Sequence, residues 1–184
     1  MTGSRAEQTA GKRNRSAVLS PPIPAMEAKL VESLPDGPDW QFEPKWDGFR
    51  CLAHRFGDEV ELYAKSGKPL GRYFPEVIEI VRSLPGEKFV LDGELVIPVG
   101  ETLSFDALQL RLHPAESRVR KLARETPAIL ILFDMLKTSA GECLMDAPLQ
   151  ERRAALERFL AGASVPRACG SPPIRGTARR RKLG

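Results

Sequence analysis

Glu43-Pro44-Lys45-Trp46-Asp47-Gly48-Phe49-Arg50 sets one lysine among groups that can make it a nucleophile. An unperturbed lysine titrates near ~10.4, so neutralising it at pH 7 costs roughly 4–5 kcal/mol. A second cation such as Arg50, or a bound metal, supplies part of that by disfavouring the ammonium form. On its own a K-x-D-G run reads equally well as an ordinary Asp-Gly turn beside an exposed lysine, and the chain holds three Asp-Gly pairs. What surrounds the lysine therefore decides between the two.

Outward from it, residues from Trp40 onward have a strand-like pattern. Arg50 to Phe56 and Glu59 to Lys65 alternate in polarity around Gly57-Asp58, which predicts two strands and a tight hairpin. Phe74-Pro75-Glu76 opens a helix in which Val77, Val81 and Leu84 share one face, and Pro85-Gly86 ends it. Lys88 to Pro98 returns to strand, with Glu94 among Leu91, Leu95, Val96 and Ile97; a carboxylate there must be paired or metal-bound. Ser104 to Leu112 and Ala115 to Glu125 have helical spacing, the second with a basic face that suits solvent. Ala128 to Phe133 is a short apolar strand that delivers Phe133-Asp134 to its end. Pro148 starts a helix to about Leu160, with Leu149, Leu156, Phe159 and Leu160 on the buried side.

At 184 residues and 42% hydrophobic content the chain has room for one folded domain. It has no apolar run of membrane-spanning length, and its polar start lacks a signal-peptide core, so a cytoplasmic location without membrane association is expected. Cys51, Cys143 and Cys169 are odd in number and far apart, which fits reduced thiols better than a disulfide frame or zinc site. The net charge of +4 is misleading. Residues 1–20 carry +3 and residues 164–184 carry +6, leaving −5 for the stretch between. A basic pI is then weak evidence that the folded part binds nucleic acid. The expected organisation is a disordered basic leader over 1–20, a domain over 21–163 opened by an extended Pro-rich segment, and a disordered basic tail over 164–184.

The full Glu43 to Arg50 string resembles the adenylate-accepting motif of ATP-dependent DNA ligases, and the wider sequence is similar to the bacterial ligase C and ligase D enzymes of end joining. Lys65-Ser66-Gly67, Leu91-Asp92-Gly93-Glu94-Leu95-Val96 and Phe133-Asp134 follow in the family's order, and Leu112 to Val119 looks like the ligase C subgroup. The resemblance implies an α+β nucleotidyltransferase domain of the DNA ligase and mRNA capping superfamily, with antiparallel sheets flanked by helices. It implies ATP as substrate, Mg2+ as cofactor, and DNA and end-joining proteins as partners at the nucleoid. Lys45 would be the catalytic nucleophile, its Asp47-Gly48 turn pointing it inward. Glu43 would lie in the segment that reads adenine, Arg50 would contact ribose, and Lys65 would stand where the family has arginine. Glu94 would contact ribose or hold magnesium through water, and Phe133 would stack on adenine.

The resemblance runs over about 21–163 and then stops. No E-G-x-x-x-K motif follows, and the 21 residues from Ser164 are too few for the family's oligonucleotide-binding barrel. The expectation is an incomplete adenylation domain without that barrel, weak or inactive alone, with part of its sheet edge uncovered. Two other readings stay open at this point: a non-enzymatic remnant that binds nucleotide or nucleic acid, and an RNA ligase or capping-type nucleotidyltransferase.

Overall fold

Alternating polarity drives residues 49–64 into a hairpin of β1 (Phe49–Phe56) and β2 (Glu59–Ala64), closed by Gly57 at φ 62°. A 3-10 turn (Gly71–Tyr73) leads into α1 (Pro75–Ser83), followed by β3 (Lys88–Val96), a small hairpin of β4 (Pro98–Val99) and β5 (Thr102–Leu103), and α2 (Phe105–Arg111). After these come α3 (Glu116–Glu125), β6 (Ile129–Lys137), α4 (Leu149–Ala161) and β7 (Cys169–Gly170). The computed structural model describes residues 23–162 apart from 28, 29, 34, 36, 38 and 39, together with the backbone of Cys169–Gly170. The leader expected over 1–20 lies outside the described residues, as does the expected tail except for those two residues.

The main sheet has the order β2-β1-β3-β6-β7, antiparallel except where β7 runs parallel to Leu130 and Ile131 of β6. Side chains alternate between its two faces, with the phase of β6 reversed across the irregularity around Asp134, so the two faces differ. One face carries Cys51, Ala53, Leu91, Leu95, Leu130 and Leu132, packed on Val77 and Val81 of α1, Leu108 of α2 and Leu156 of α4. On the other face Leu52, Val90 and Leu136 are covered by Ala25, with Ile23 and Met26 beside it. The Pro-rich opening is thus extended but packed on the sheet. Beyond that cover the same face continues with Arg50, Asp92 and Glu94, placed by the register that sets Arg50 opposite Glu94 and Leu52 opposite Asp92.

Three local expectations are corrected. Trp40 to Asp47 is irregular but for an isolated bridge at Phe42, not strand-like. β6 does not end at Phe133-Asp134 but runs on to Lys137, with register shifts against β3 on both sides of Asp134. A charged residue there did not stop the strand because Arg152 neutralises it. Leu149 is 45% exposed, while Arg152 and Arg153 turn inward with Leu156. Helix geometry explains this: Arg152, Leu156 and Phe159 form one stripe at i, i+4 and i+7, and the guanidiniums meet carboxylates.

Candidate functional site

Arg50 is the fixed point of the polar end of that face. Its Nε and Nη2 donate to the two oxygens of Asp92, each at 2.7 Å, and Nη2 also donates to the Met26 carbonyl at 3.0 Å. Such a two-pronged contact fixes the guanidinium plane, which a lysine could not achieve. The guanidinium carbon sits 4.9 Å from the centre of the half-buried Phe133 ring. Burial pushes the Asp92 carboxyl above its ordinary range, with Arg50 pulling it back; the Asp92 hydrogen bond holds Arg50 even more firmly charged.

Glu94 lies next along the face. Desolvation raises its pKa, opposed by the charges of Arg50 and Lys45 and by the Gly48 N–H, which donates to it. Gly48 can come this close only because it lacks a side chain: a Cβ would lie 2.2 Å from the Leu95 carbonyl oxygen and 2.8 Å from Glu94 Cγ. The glycine after Asp47 therefore seats the lysine-bearing segment against β3. Lys45 itself does not point inward. It is exposed, with Nζ 3.0 Å from Asp47 Oδ1. Arg50, expected from the sequence to help free the lysine of its proton, is committed to Asp92.

A cleft of about 710 Å³ opens beside Arg50, lined by Gly48, Phe49, Lys65, Lys68, Arg72 and Leu112 among others. Lys65 stands at its mouth, its Nζ 3.5 Å from a Glu27 carboxylate oxygen. Glu43 is turned toward α4 and pairs with Arg153 at 3.0 Å. Arg50, Glu94 and Phe133 are thus brought together and Lys65 shares the cleft with Arg50, while Lys45 and Glu43 are not among the residues that line it. The assembly offers cations for phosphate, an aromatic face half open for a ring, and one hard oxygen donor.

Residues 22–168 match the model of the ATP dependent DNA ligase domain. The chain belongs to the ATP-dependent DNA ligase family. It is 46% identical over 147 residues to DNA ligase C of Mycobacterium tuberculosis, covering 80% of this chain and 40% of that protein. To DNA ligase C2 of Mycolicibacterium smegmatis it is 47% identical over 143 residues, covering 78% of this chain and 40% of the relative. Among solved structures it resembles the ligase domain of M. tuberculosis LigD, with a TM-score of 0.58 and 27% identity, covering 73% of this chain and 40% of that one. A mycobacterial DNA ligase D complexed with ATP and MES gives 0.52 and 26%, with the same coverage. The chain spans about 40% of the length of these relatives.

Several residues of the candidate site carry little mark in the sequence. Asp92 stands inside the recognised strand motif, but only its partner 42 residues away shows that it, rather than Glu94, takes the arginine. Arg152 and Arg153 give one local signal, an arginine on the helical stripe of Leu156 and Phe159, which invites a search for buried carboxylates. Among the described residues no group of three or more His, Cys, Asp or Glu is placed to hold a metal. Burial also pushes up the Cys51 thiol, so it is no competing nucleophile.

Proposed function

We propose that this chain carries the nucleotide-activating step of an ATP-dependent DNA ligase, with Lys45 as nucleophile. The observation that carries the reading is Arg50, locked by Asp92 under the half-open Phe133 ring and beside Glu94, at the head of a cation-lined cleft. Adenine stacks on Phe133, near Glu43; Arg50 and Glu94 hold the ribose. Lys65, with Lys68 and Arg72 beside it, faces phosphate charge. The neutral Lys45 amine attacks the α-phosphorus of ATP, forming an N–P bond. The bond to the bridging oxygen breaks, pyrophosphate leaves with that electron pair, and the amine proton passes to solvent. Catalysis of this type rests on positioning and charge neutralisation. Lys45 must first leave Asp47 and swing inward, which costs little because an exposed ion pair contributes ~0–1 kcal/mol.

Magnesium fits this site. Glu94 is a single hard donor, which suits an ion that keeps most of its water and otherwise binds substrate phosphates. When bound it supplies further neutralisation of phosphate charge. Transfer of AMP to a DNA 5′-phosphate and sealing by the 3′-hydroxyl are proposed for the whole ligase, with end-joining partners and a place at the nucleoid as parts of the same reading.

The test is covalent. Incubation with ATP labelled at the α-phosphate, plus magnesium, leaves label on the denatured protein, and Lys45→Ala abolishes it while Lys65→Ala does not. Label that survives in Lys45→Ala would overturn the assignment.

A further inference from the structure

We infer that Arg153 is a positioning residue for the adenine end of the site, an inference that rests on the nucleotide reading above. Arg153 lies on α4, its side chain only 3% exposed. One nitrogen, Nη1, donates to the Phe133 carbonyl at 2.9 Å and lies 3.0 Å from Glu43 Oε1. A single buried cation therefore joins the backbone of the stacking residue to the acidic residue two places before the nucleophile. Nε lies 3.6 Å from Glu157, one turn further along the helix.

The neighbouring Arg152 does a separate job. Its Nε lies 2.9 and 3.0 Å from the Asp134 oxygens, and its Nη1 donates to the Ala147 carbonyl. That contact ties α4 to β6. Leu156, fully buried, and Phe159, edge-on to Phe89 at 5.0 Å, seat the helix on the core as well. Arg153 is thus one of several anchors of α4, not its sole one. Taking a guanidinium out of water is expensive, and an apolar side chain of similar volume commonly serves stability as well or better. What an apolar side chain cannot do is hold Glu43 and the Phe133 carbonyl on one atom. Glu43 so held presents an acceptor to the exocyclic amino group of adenine, where guanine carries an acceptor of its own.

The experiment measures equilibrium binding of ATP, GTP and inorganic tripolyphosphate to the full chain. Arg153→Met keeps the buried stem and removes the fork. The expected result is a roughly tenfold fall in the ATP-over-GTP preference, the scale of one charge-assisted hydrogen bond, with tripolyphosphate affinity unchanged. Glu43→Met produces the same fall, and the double variant falls no further because both break one contact. Arg158→Met, on the same helix at the surface, leaves the preference as it was. Where Arg153→Met does not fold, Arg153→Lys decides by the same ratio: a reduced preference supports the inference. An unchanged preference in Arg153→Met or Arg153→Lys, or additive losses in the double variant, overturns it and leaves the ligase reading standing. A wild-type chain with no preference for ATP overturns that reading, and the inference falls with it.

Discussion

Arg111, at the end of α2, and Arg50, near the start of β1, are held by the same kinds of contact. Arg111 Nη2 bonds Glu76 at 2.8 Å and the Tyr73 carbonyl at 2.8 Å, and its guanidinium carbon is 5.0 Å from the Phe74 ring centre. Arg50 has Asp92, the Met26 carbonyl and Phe133 at 4.9 Å. The difference is access. Arg111 and Phe74 are both 0% exposed, whereas the Arg50 side chain is 25% exposed and its aromatic partner is half open. A closed arginine–carboxylate–phenylalanine unit can only hold elements together; here it joins the 3-10 turn, α1 and α2, with Glu76 also accepting the Ala128 N–H ahead of β6. The open version leaves a charged edge and a ring face for a ligand.

The largest expected effect separates the two. Arg111→Ala strands the Glu76 carboxylate and lowers the free energy of unfolding by about 3–5 kcal/mol in urea denaturation. Arg111→Met loses less, because the buried stem is kept. Arg50→Met loses about 1–3 kcal/mol, since water reaches the gap, but weakens ATP binding at least ~10-fold. If Arg50→Met instead matched Arg111→Ala in stability and left ATP binding untouched, Arg50 would be a second structural clamp and the contrast would collapse.

What could be read in the sequence follows the same division between local and remote. β1, β2, β3, α1, α2 and α3 were legible within a residue or two because polarity patterns and Gly-Asp or Pro-Gly breaks lie within each element. That Arg50, Glu94 and Phe133 come together was legible because short motifs carry them, and their proposed roles build on that placing. Arg111 was not, since its partner Glu76 is 35 residues away and nothing in α2 distinguishes it from a surface arginine. Arg153 was lost for the same reason, as its partners come from the segment before β1 and from β6. The inward lysine failed on a different ground. A turn fixes the backbone at Gly48, but the exposed Lys45 side chain takes whatever anion is nearest, and Asp47 is two residues away. Motifs name the participants, while contacts between distant elements decide which of them are already in position.

The smallest effect tests where the polar face closes. His54 lies on β1 four residues beyond Arg50 and on the same face, but it is 1% exposed, edge-on to Tyr63 at 5.3 Å. Neither ring nitrogen has a hydrogen-bond partner among the described residues. Burial lowers its pKa from 6.5, with Glu61 pulling weakly the other way. The unfolded chain then binds a proton that the folded one refuses, so this group's contribution to stability falls as pH drops through 6.5. Asp92 and Glu94 act with opposite sign. Their raised pKa values make the folded state bind the extra proton, so their contributions are full below the ordinary values of 3.8 and 4.5 and are lost as pH rises. His54→Leu, by removing an unpaired buried imidazole, is expected to stabilise the protein by about 1 kcal/mol at pH 7 and to remove the acid-side loss that begins near 6.5. In that variant the slope between the two windows passes to the carboxylates and stability rises on mild acidification. Urea midpoints taken across pH 4.5–7.5 would show the reversal, and a His54→Leu curve parallel to the wild type would mean that the imidazole is not the group that sets the acid limb.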